Sequence, residues 1–348
     1  MNNKEITCAR RKTSIGGQAL MEGIMMRSGE KSAMAVRRPS GEICFEQSEN
    51  KRKKRPAICR LPIIRGVFGF VDSMVIGYKA LMRSADIALE EVQEQKTPTV
   101  WEASEEDLKR QAKKEGVSKG LTALLMVIAT VLGIGLAVVL FMWLPTFLYS
   151  LIARITPESW ALGESRVLRS VFEGVLKILV LVAYMALVSL MKDIRRTFMY
   201  HGAEHKTIFC YEKGLPLTVE NVKKQSRFHP RCGTSFLILM LLVSIVAGLF
   251  IPAQIKGIDE VAYTFIRAAI KLLLIPLIMG VGYELLKLAG RYDNIFTRII
   301  SAPGMWLQRI TVKEPTDDMI ECAVMAFLAV LPDGECEAES AAANQQQD

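Results

Sequence analysis

The chain has 348 residues, of which 51% are hydrophobic, and its mean hydropathy is +0.24. This composition is too apolar for a soluble protein of this length, and the apolar residues lie in blocks, which indicates membrane spans. The formal net charge of +8 is the kind expected from basic cytosolic loops in contact with anionic lipid, so nucleic-acid binding is not expected. Seven cysteines, odd in number and irregularly spaced, favour reduced thiols.

Residues 1–59 are predicted to form a small cytosolic α+β unit. Its strand signal is "SAMAVRRPSGEICFEQ", in which two short runs flank Pro-Ser-Gly and predict a β-hairpin. In "IGGQALMEGIMMRSG", Gly16 and Gly17 permit a tight turn or a close backbone approach. Glu22 follows in an apolar, helix-like run. We interpret it either as an exposed residue of an amphipathic helix or as a carboxylate directed at a metal loop or substrate.

Residues 60–86 have apolar side chains at a helical period. Charged residues interrupt this run, which favours an interfacial or re-entrant helix over a full membrane span. Gly69, Ser73 and Gly77 place small residues four apart, a spacing that permits close helix packing. Residues 87–119 are rich in Glu, Lys and Gln and predict a charged linker or surface helix.

Four apolar blocks predict four transmembrane helices, two within residues 120–191 and two within 234–290. The third block is uncharged from Cys232 to Ile255, whereas the fourth carries charged residues near both ends. The predicted fold class is therefore mainly α. It is a polytopic helical membrane protein with about four transmembrane helices, an interfacial or re-entrant helix and the small N-terminal unit.

The distribution of Lys and Arg predicts the topology. Residues 1–60 carry fourteen of them and the 192–233 connection carries nine, whereas the other two connections carry few. We therefore expect a protein of the cell membrane. The positive-inside rule places both of its termini and the 192–233 connection on the cytosolic side. Residues 291–332 form a cytosolic C-terminal segment, and residues 333–348 are predicted to be a disordered tail.

All three histidines of the chain lie in the 192–233 connection. His201 and His205 are four apart and share one face of a helix, so both rings can reach one ion. Glu204 completes the string H-x-x-E-H, the order in which inverted zincins use both histidines as zinc ligands and the Glu to activate water. Further along, His229 and Cys232 form an H-x-x-C pair on a short turn, which offers two more ligands.

These residues predict a divalent metal site, and nitrogen and thiolate donors favour Zn²⁺, with Fe and Mn as alternatives. Four protein ligands would make the site closed and structural. Three would leave a position for water, with Glu204 as the candidate general base. Glu284 could serve as a third ligand of the inverted-zincin type, although an ordinary ion pair with Lys287 is also expected at its position.

Four stretches, "GGQALMEGIMMR", "YHGAEHKTIFCYE", "HPRCGTSFL" and "ITVKEPTDDMIECAVMAFLAVL", together closely resemble the YqhQ-like family, a domain of unknown function numbered 1385. The resemblance covers nearly the whole chain, from about residue 14 to residue 331. It implies a multi-pass bacterial membrane protein of a kind often described as a predicted metal-dependent enzyme, without an assigned reaction. It also implies that the description rests on the five positions His201, Glu204, His205, His229 and Cys232.

Three functions follow from these features. The first is a membrane-embedded metal-dependent enzyme, a hydrolase acting on a lipid-linked or membrane-protein substrate. The second is a non-enzymatic scaffold or assembly factor with a structural metal, whose basic cytosolic face binds anionic headgroups, a membrane-protein partner or a second copy of the chain. The third, transport, is the least favoured because the sequence shows no clear inverted repeat.

Overall fold

The computed structural model describes residues 13–49, 56–94, 124–125, 127–156, 165–252, 255, 257–292 and 294–331. Most of the predicted charged linker and all of the predicted tail fall outside these ranges. The strands are β1 (Gly16–Leu20), β2 (Gly23–Ser28), β3 (Lys31–Arg37) and β4 (Ile43–Glu49). The helices are α1 (Ile64–Glu94), α2 (Val127–Ile155), α3 (Arg166–Val188), α4 (Lys192–Glu212), α5 (Val219–Lys223), α6 (Gly233–Gly248), α7 (Glu260–Arg291), α8 (Ile295–Thr311) and α9 (Asp317–Leu328).

The chain divides into two compact units. The first contains the described parts of residues 1–91, 184–237 and 283–348, and the second those of 92–183 and 238–282. The first unit therefore combines the N-terminal sheet with segments that are remote in sequence. The second contains α2 and long parts of α3, α6 and α7.

The four strands of the first unit form an antiparallel sheet in the order β1-β2-β3-β4. The predicted hairpin is confirmed as the pair β3–β4, with Val36 opposite Cys44. The helix-like interpretation of the run around Glu22 is wrong, because β1 and β2 form a second hairpin and Glu22 lies in its turn with φ of 49°. The sequence of this run resembles that of a helix because β2 is buried continuously from Gly23 to Met26. A strand buried on both faces has no alternation of polar and apolar residues that would distinguish it from a buried helix.

Each face of this sheet packs against helices. On one face, Ile24, Met26 and Ala35 lie in a core with Tyr200 of α4 and Phe327 of α9, all of them at most 1% exposed. On the other face, the strand side chains Leu20, Met25, Met34 and Val36 pack against two residues of α1, Ala80 and Ile87. The predicted α+β unit therefore depends on α4 and α9 as well as on N-terminal residues.

Helix α1 contains the segment predicted to be interfacial or re-entrant, and it runs for 31 residues. Its small residues do allow close contacts, although the partners are of two kinds. Gly69 faces the ring of Tyr283 in α7, whereas Gly77 lies against the side chain of Gln18 in β1. Gln18 also donates a hydrogen bond to the carbonyl of Gly77 at 3.3 Å.

Within the described ranges, three helices are long and apolar enough to cross a membrane: α2, α3 and the 261–288 part of α7. The prediction of about four spans is therefore confirmed only in part. The uncharged third block forms α6, a helix of 16 residues that ends at Gly248. At 1.5 Å per residue α6 is about 24 Å long, somewhat less than the ~30 Å hydrocarbon core of a bilayer. By contrast, the charge-flanked fourth block belongs to one of the three long helices.

The charged residues of α3 and α7 in the second unit are buried together. Glu173 lies 3.2–3.3 Å from the Nε atoms of Arg267 and Arg169 and also pairs with Lys271. These four side chains and Lys177 are at most 9% exposed. Glu173 therefore lies among cations of its own helix and of the neighbouring helix.

A candidate His/Cys metal centre

The candidate centre joins α4 to the loop that precedes α6. The helical spacing of His201 and His205 turns both rings to one side, with 4.4 Å between their centroids. The loop brings Cys232 to the same place. One ligand atom from each of these three residues lies within 4.8 Å of the other two. The two ends of the connection predicted to carry the ligands therefore meet.

Both histidine rings are oriented by backbone carbonyl groups. Nδ1 of His201 lies 3.1 Å from the carbonyl oxygen of Thr311, and Nδ1 of His205 lies 2.6 Å from that of Arg227. A carbonyl oxygen only accepts hydrogen bonds, so each Nδ1 must carry the proton. Each Nε2 is then left with its lone pair, which is the form and orientation that metal-ligating histidines adopt.

Cys232 presents its sulfur to His201, with 3.1 Å between Sγ and Nε2. The backbone N–H of Thr234 donates to this sulfur at 3.4 Å, and the Thr234 hydroxyl lies 3.1 Å from it. Cys232 also directly precedes α6, so its sulfur lies at the positive end of the helix dipole. These features suit a metal-binding thiolate.

His229 lies beside these three residues but is not one of them. Its ring centroid is 5.5 Å from that of His205. Its Nδ1 accepts from the backbone N–H of Arg231 at 3.3 Å, and its Nε2 lies 3.4 Å from an Arg231 Nη atom. Burial, with His205 and Arg231 nearby, lowers the pKa of His229 to about 3. As placed, the ring faces Arg231, and its predicted role as fourth ligand stays a prediction.

Gln308 of α8 holds the backbone at His229. Its side-chain oxygen accepts from the His229 N–H at 2.8 Å, and its amide nitrogen donates to the His229 carbonyl at 2.7 Å. Gln308 is fully buried. Since both bonds are made to backbone atoms, Gln308 fixes the course of the "HPRC" loop and therefore the position of Cys232.

Glu204 shares a small chamber of about 260 Å³ with two of the candidate ligands, His205 and Cys232. The lining includes Gly17, Glu204, His205, His229 and Cys232. Oε1 of Glu204 accepts from the Gly17 N–H at 2.9 Å, and the side chain is 7% exposed. Burial raises the pKa of Glu204, while His201 and the Gly17 N–H act in the opposite direction.

Position 17 requires a residue without a side chain because β1 passes directly over Glu204. A Cβ at position 17 would lie 2.9 Å from the Glu204 carboxyl carbon and 2.8 Å from the sulfur of Met26. The expected close backbone approach in the N-terminal "GGQ" stretch is therefore present, and its partner is the Glu of H-x-x-E-H. This contact connects the N-terminal motif to the histidine motif.

Gly202 has a related role between the two histidines. A Cβ at this position would overlap the carbonyl oxygen of Lys313. The Lys313 N–H donates to the carbonyl of Phe198 at 2.9 Å, which holds the 312–316 segment against α4. The approach of this segment brings the Thr311 carbonyl to His201.

The two remaining predicted carboxylates have partners elsewhere in the first unit. Glu22 forms an ion pair with Arg196 at the start of α4. Glu284 pairs with Arg65 of α1, with 2.7 Å between Oε1 and Nε. Neither belongs to the group formed by His201, His205 and Cys232. Arg65, rather than the expected Lys287, forms the ion pair with Glu284.

Sequence reasoning missed the residues that orient the ligands. The carbonyls of Thr311 and Arg227 leave no signal, because any residue type offers a carbonyl oxygen. Gln308 does leave one, since it is a long polar residue on the buried face of α8, which also carries Thr297, Ser301 and Thr311. A buried Gln requires hydrogen-bond partners, which marks it for a structural role.

The donor set fits a zinc-type ion. Tetrahedral ligands at Zn–N and Zn–S bond lengths lie roughly 3.5 Å from one another, and a separation within 4.8 Å is reached by small side-chain shifts. Two imidazoles, one thiolate and outer carbonyl partners match the ligand softness and the surrounding hydrogen bonds that zinc sites show. His201, His205 and Cys232 could therefore hold a metal ion.

The fold and the site together define a class: mainly helical proteins with apolar helices of membrane-spanning length and a His/His/Cys group that could hold a metal ion. Comparison with known proteins identifies the family. Residues 61–333 match the model described as "Protein of unknown function (DUF1385)", and the chain belongs to this family. It is 32% identical over 322 residues to the uncharacterized protein YqhQ of Bacillus subtilis (strain 168). The aligned residues make up 91% of this chain and 92% of that protein. No solved structure matches the chain.

Proposed function

We propose that the chain is a multi-pass cell-membrane protein whose cytosol-facing centre holds a divalent metal, zinc by donor type, and catalyses hydrolysis. The observation that carries the proposal is the grouping of His201, His205 and Cys232 beside the buried carboxylate of Glu204. Three protein ligands leave a coordination position for water, as catalytic zinc sites do. His229 faces Arg231, which favours this three-ligand arrangement.

In this proposal His201, His205 and Cys232 would hold a zinc ion, which would supply Lewis acidity and a water of lowered pKa. Glu204 takes one proton from the attacking water while the water oxygen bonds to the electrophilic atom of the substrate. The same carboxyl then returns that proton to the departing group as the scissile bond breaks. The carbonyls of Thr311 and Arg227 hold the two Nδ1 atoms, which leaves both Nε2 atoms available as ligands, and Gly17 keeps Glu204 oriented by a backbone hydrogen bond.

Metal analysis tests the centre itself. Purified wild type is expected to hold about one metal ion per chain, and Cys232→Ala and His205→Ala are expected to lose it. Cys322→Ala is the matched control, because Cys322 is also a buried thiol but packs in the sheet core away from this group. A wild type without stoichiometric metal, or equal metal in Cys232→Ala and Cys322→Ala, contradicts the proposed centre.

The variant Glu204→Gln tests catalysis separately. It is expected to keep the metal and the fold but to reduce hydrolysis by about 10²–10⁴-fold, because the amide cannot accept the proton. Suitable substrates are long-chain chromogenic carboxylic and phosphate esters, screened first with the metal-loaded wild type. A Glu204→Gln protein that hydrolyses the active ester at the wild-type rate contradicts the assignment of Glu204 as base.

One observation favours a structural metal site as the second candidate. His229 lies close enough to His205 to complete a four-ligand site if its ring turns away from Arg231. The protein would then be a scaffold or assembly factor that binds anionic lipid or a membrane-protein partner through its basic face. In that case His229→Ala loses metal and stability, whereas Glu204→Gln has no effect on either.

A further inference from the structure

A second, larger cavity lies next to the chamber that contains Glu204. It is a groove of about 700 Å³ in the first unit, and apolar side chains such as Phe209, Phe228 and Met305 form much of its wall. The groove and the chamber share His229 and Arg231 as lining residues. A molecule in the groove would therefore contact the same wall that encloses the candidate metal centre.

Helix α8 borders this groove with a distinct face. Arg298, Ser301, Met305 and Arg309 recur at helical spacing and line the groove. The adjacent face is apolar and exposed: Ile295, Ile299 and Trp306 are 78%, 65% and 64% exposed. Trp306 belongs to both faces, because it also lines the groove. A helix with an exposed apolar stripe beside cationic side chains is suited to the membrane interface.

The charge in the groove is positive. Its described lining residues include three arginines, Arg231, Arg298 and Arg309, against one carboxylate, Glu212. Glu212 already pairs with Arg231 and also accepts from the Thr13 N–H at 2.9 Å. The described lining therefore carries more arginines than carboxylates, next to its apolar surface. Guanidinium groups bind phosphate oxygens with good geometric fit.

We propose that this groove binds the head-group end of a phosphate-bearing lipid. The chains of the lipid would follow the stripe of Ile295, Ile299 and Trp306 into the bilayer, and the phosphate would lie between Arg298 and Arg309. The shared wall at His229 would place the head group beside the chamber. The identification of this lipid as the substrate class rests on the proposed hydrolase function, whereas the binding itself requires no metal.

Fluorescence of Trp306 tests the proposal, since this side chain lines the groove. The full chain would carry Trp101→Phe, Trp143→Phe and Trp160→Phe, which leaves Trp306 as the single tryptophan. In phosphatidylcholine nanodiscs, phosphatidic acid with brominated chains is expected to quench Trp306 several-fold more than brominated phosphatidylcholine at the same mole fraction. Arg298→Gln combined with Arg309→Gln is expected to remove this preference. Arg60→Gln, at an exposed arginine outside the groove, is the control and should keep it.

Three results would overturn the proposal. Equal quenching by the two brominated lipids would show that the stripe only contacts the bilayer. A preference that survives loss of both arginines would place the phosphate elsewhere. A change of Trp306 emission on adding millimolar inorganic phosphate, with no preference between the two brominated lipids, would identify a free phosphate, and not a lipid, as the ligand. Repeating the titration in His205→Ala separates the two proposals, because groove binding is expected to persist there even if metal analysis disproves the centre.

Discussion

Among single residues, glycines decide how closely the backbone can approach the candidate centre. Gly17 lets β1 pass over Glu204, and Gly202 lets the 312–316 segment reach α4 beside His201. Each contact joins segments more than 100 residues apart in sequence. A methyl group at position 202 would separate the two segments, because the opposing atom is a backbone oxygen that cannot rotate away. At position 17 it would press against the Glu204 side chain and the Met25 carbonyl of the neighbouring strand.

Gly202→Ala is expected to lower stability by about 1–3 kcal/mol, since the new methyl group overlaps the Lys313 carbonyl. Metal content should fall with it, because the Thr311 carbonyl loses contact with His201. Thermal unfolding and metal analysis of the purified variant measure both effects. Gly133→Ala is the control: this helical glycine of α2 has open space around it, so the change should be neutral or slightly stabilising. Equal behaviour of the two variants would refute the steric role of Gly202.

The buried thiol of Cys322 is expected to make the folded protein less stable at alkaline pH. Burial raises the pKa of this thiol to about 11, above its ordinary value of 9.0. As the pH rises through 9 the unfolded chain loses the thiol proton while the folded chain keeps it, so folded stability falls between pH 9 and 11. At pH 10.5 the loss relative to pH 7.5 is on the order of 1–2 kcal/mol. Thermal unfolding at both values should show a smaller alkaline loss in Cys322→Ala than in wild type, and an identical loss would argue against the shift.

Among the helices, the buried charges of α3 and α7 set the second unit apart from an ordinary apolar bundle. Glu173 is in contact with cations from both helices. Ionisable groups within apolar helices are costly to bury, and each depends on its partner. One carboxylate therefore holds together two helices that carry several cations.

Glu173→Gln is expected to destabilise the protein by about 3–5 kcal/mol, because Arg169, Arg267 and Lys271 would share no carboxylate. Glu220→Gln removes an ion pair between exposed residues, with Lys224, and is expected to leave the unfolding temperature nearly unchanged. Thermal unfolding in one detergent gives the comparison. If Glu173→Gln unfolds at the same temperature as Glu220→Gln, the buried network contributes little.

For the whole molecule, the first unit constrains the topology. The sheet packs against α4 and α9, so residues 13–49, 192–212 and 317–328 must lie on the same side of any membrane. A chain that leaves this side and returns to it crosses the bilayer an even number of times. If α7 crosses, α6 must therefore cross as well, despite its 16 residues. Local thinning of the bilayer accommodates such a short helix at modest cost.

Labelling of intact cells with a membrane-impermeant maleimide tests this topology. A cysteine introduced by Asp259→Cys, between α6 and α7, is expected to react from outside. Cysteines introduced by Ser40→Cys and Ser226→Cys, on exposed residues of the first unit, are expected to react only after the membrane is opened. Wild type, whose Cys59 is partly exposed, gives the background. Protection of the cysteine at position 259 in intact cells would mean that α6 and α7 do not reach the outer surface.

The sequence by itself determined the features that depend on local pattern. Hydropathy identified the apolar helices, Pro-Ser-Gly between two short runs identified the β3–β4 hairpin, and helical spacing identified His201, Glu204 and His205 as one group. Co-occurring motifs identified the family. These features are readable because turn chemistry, helical period and burial act over a few residues.

Only the tertiary structure decided what depends on contacts between distant segments. It turned the run around Glu22 into a hairpin, paired Glu22 with Arg196 and Glu284 with Arg65, and gathered Glu173 with its cations. It also brought Cys232 into the group with His201 and His205, left His229 beside it, and supplied the carbonyls that orient the rings. The physical reason is that a buried charge or donor can be satisfied by any suitable group that the fold brings near. The identity of that group is fixed by packing and not by its distance along the chain.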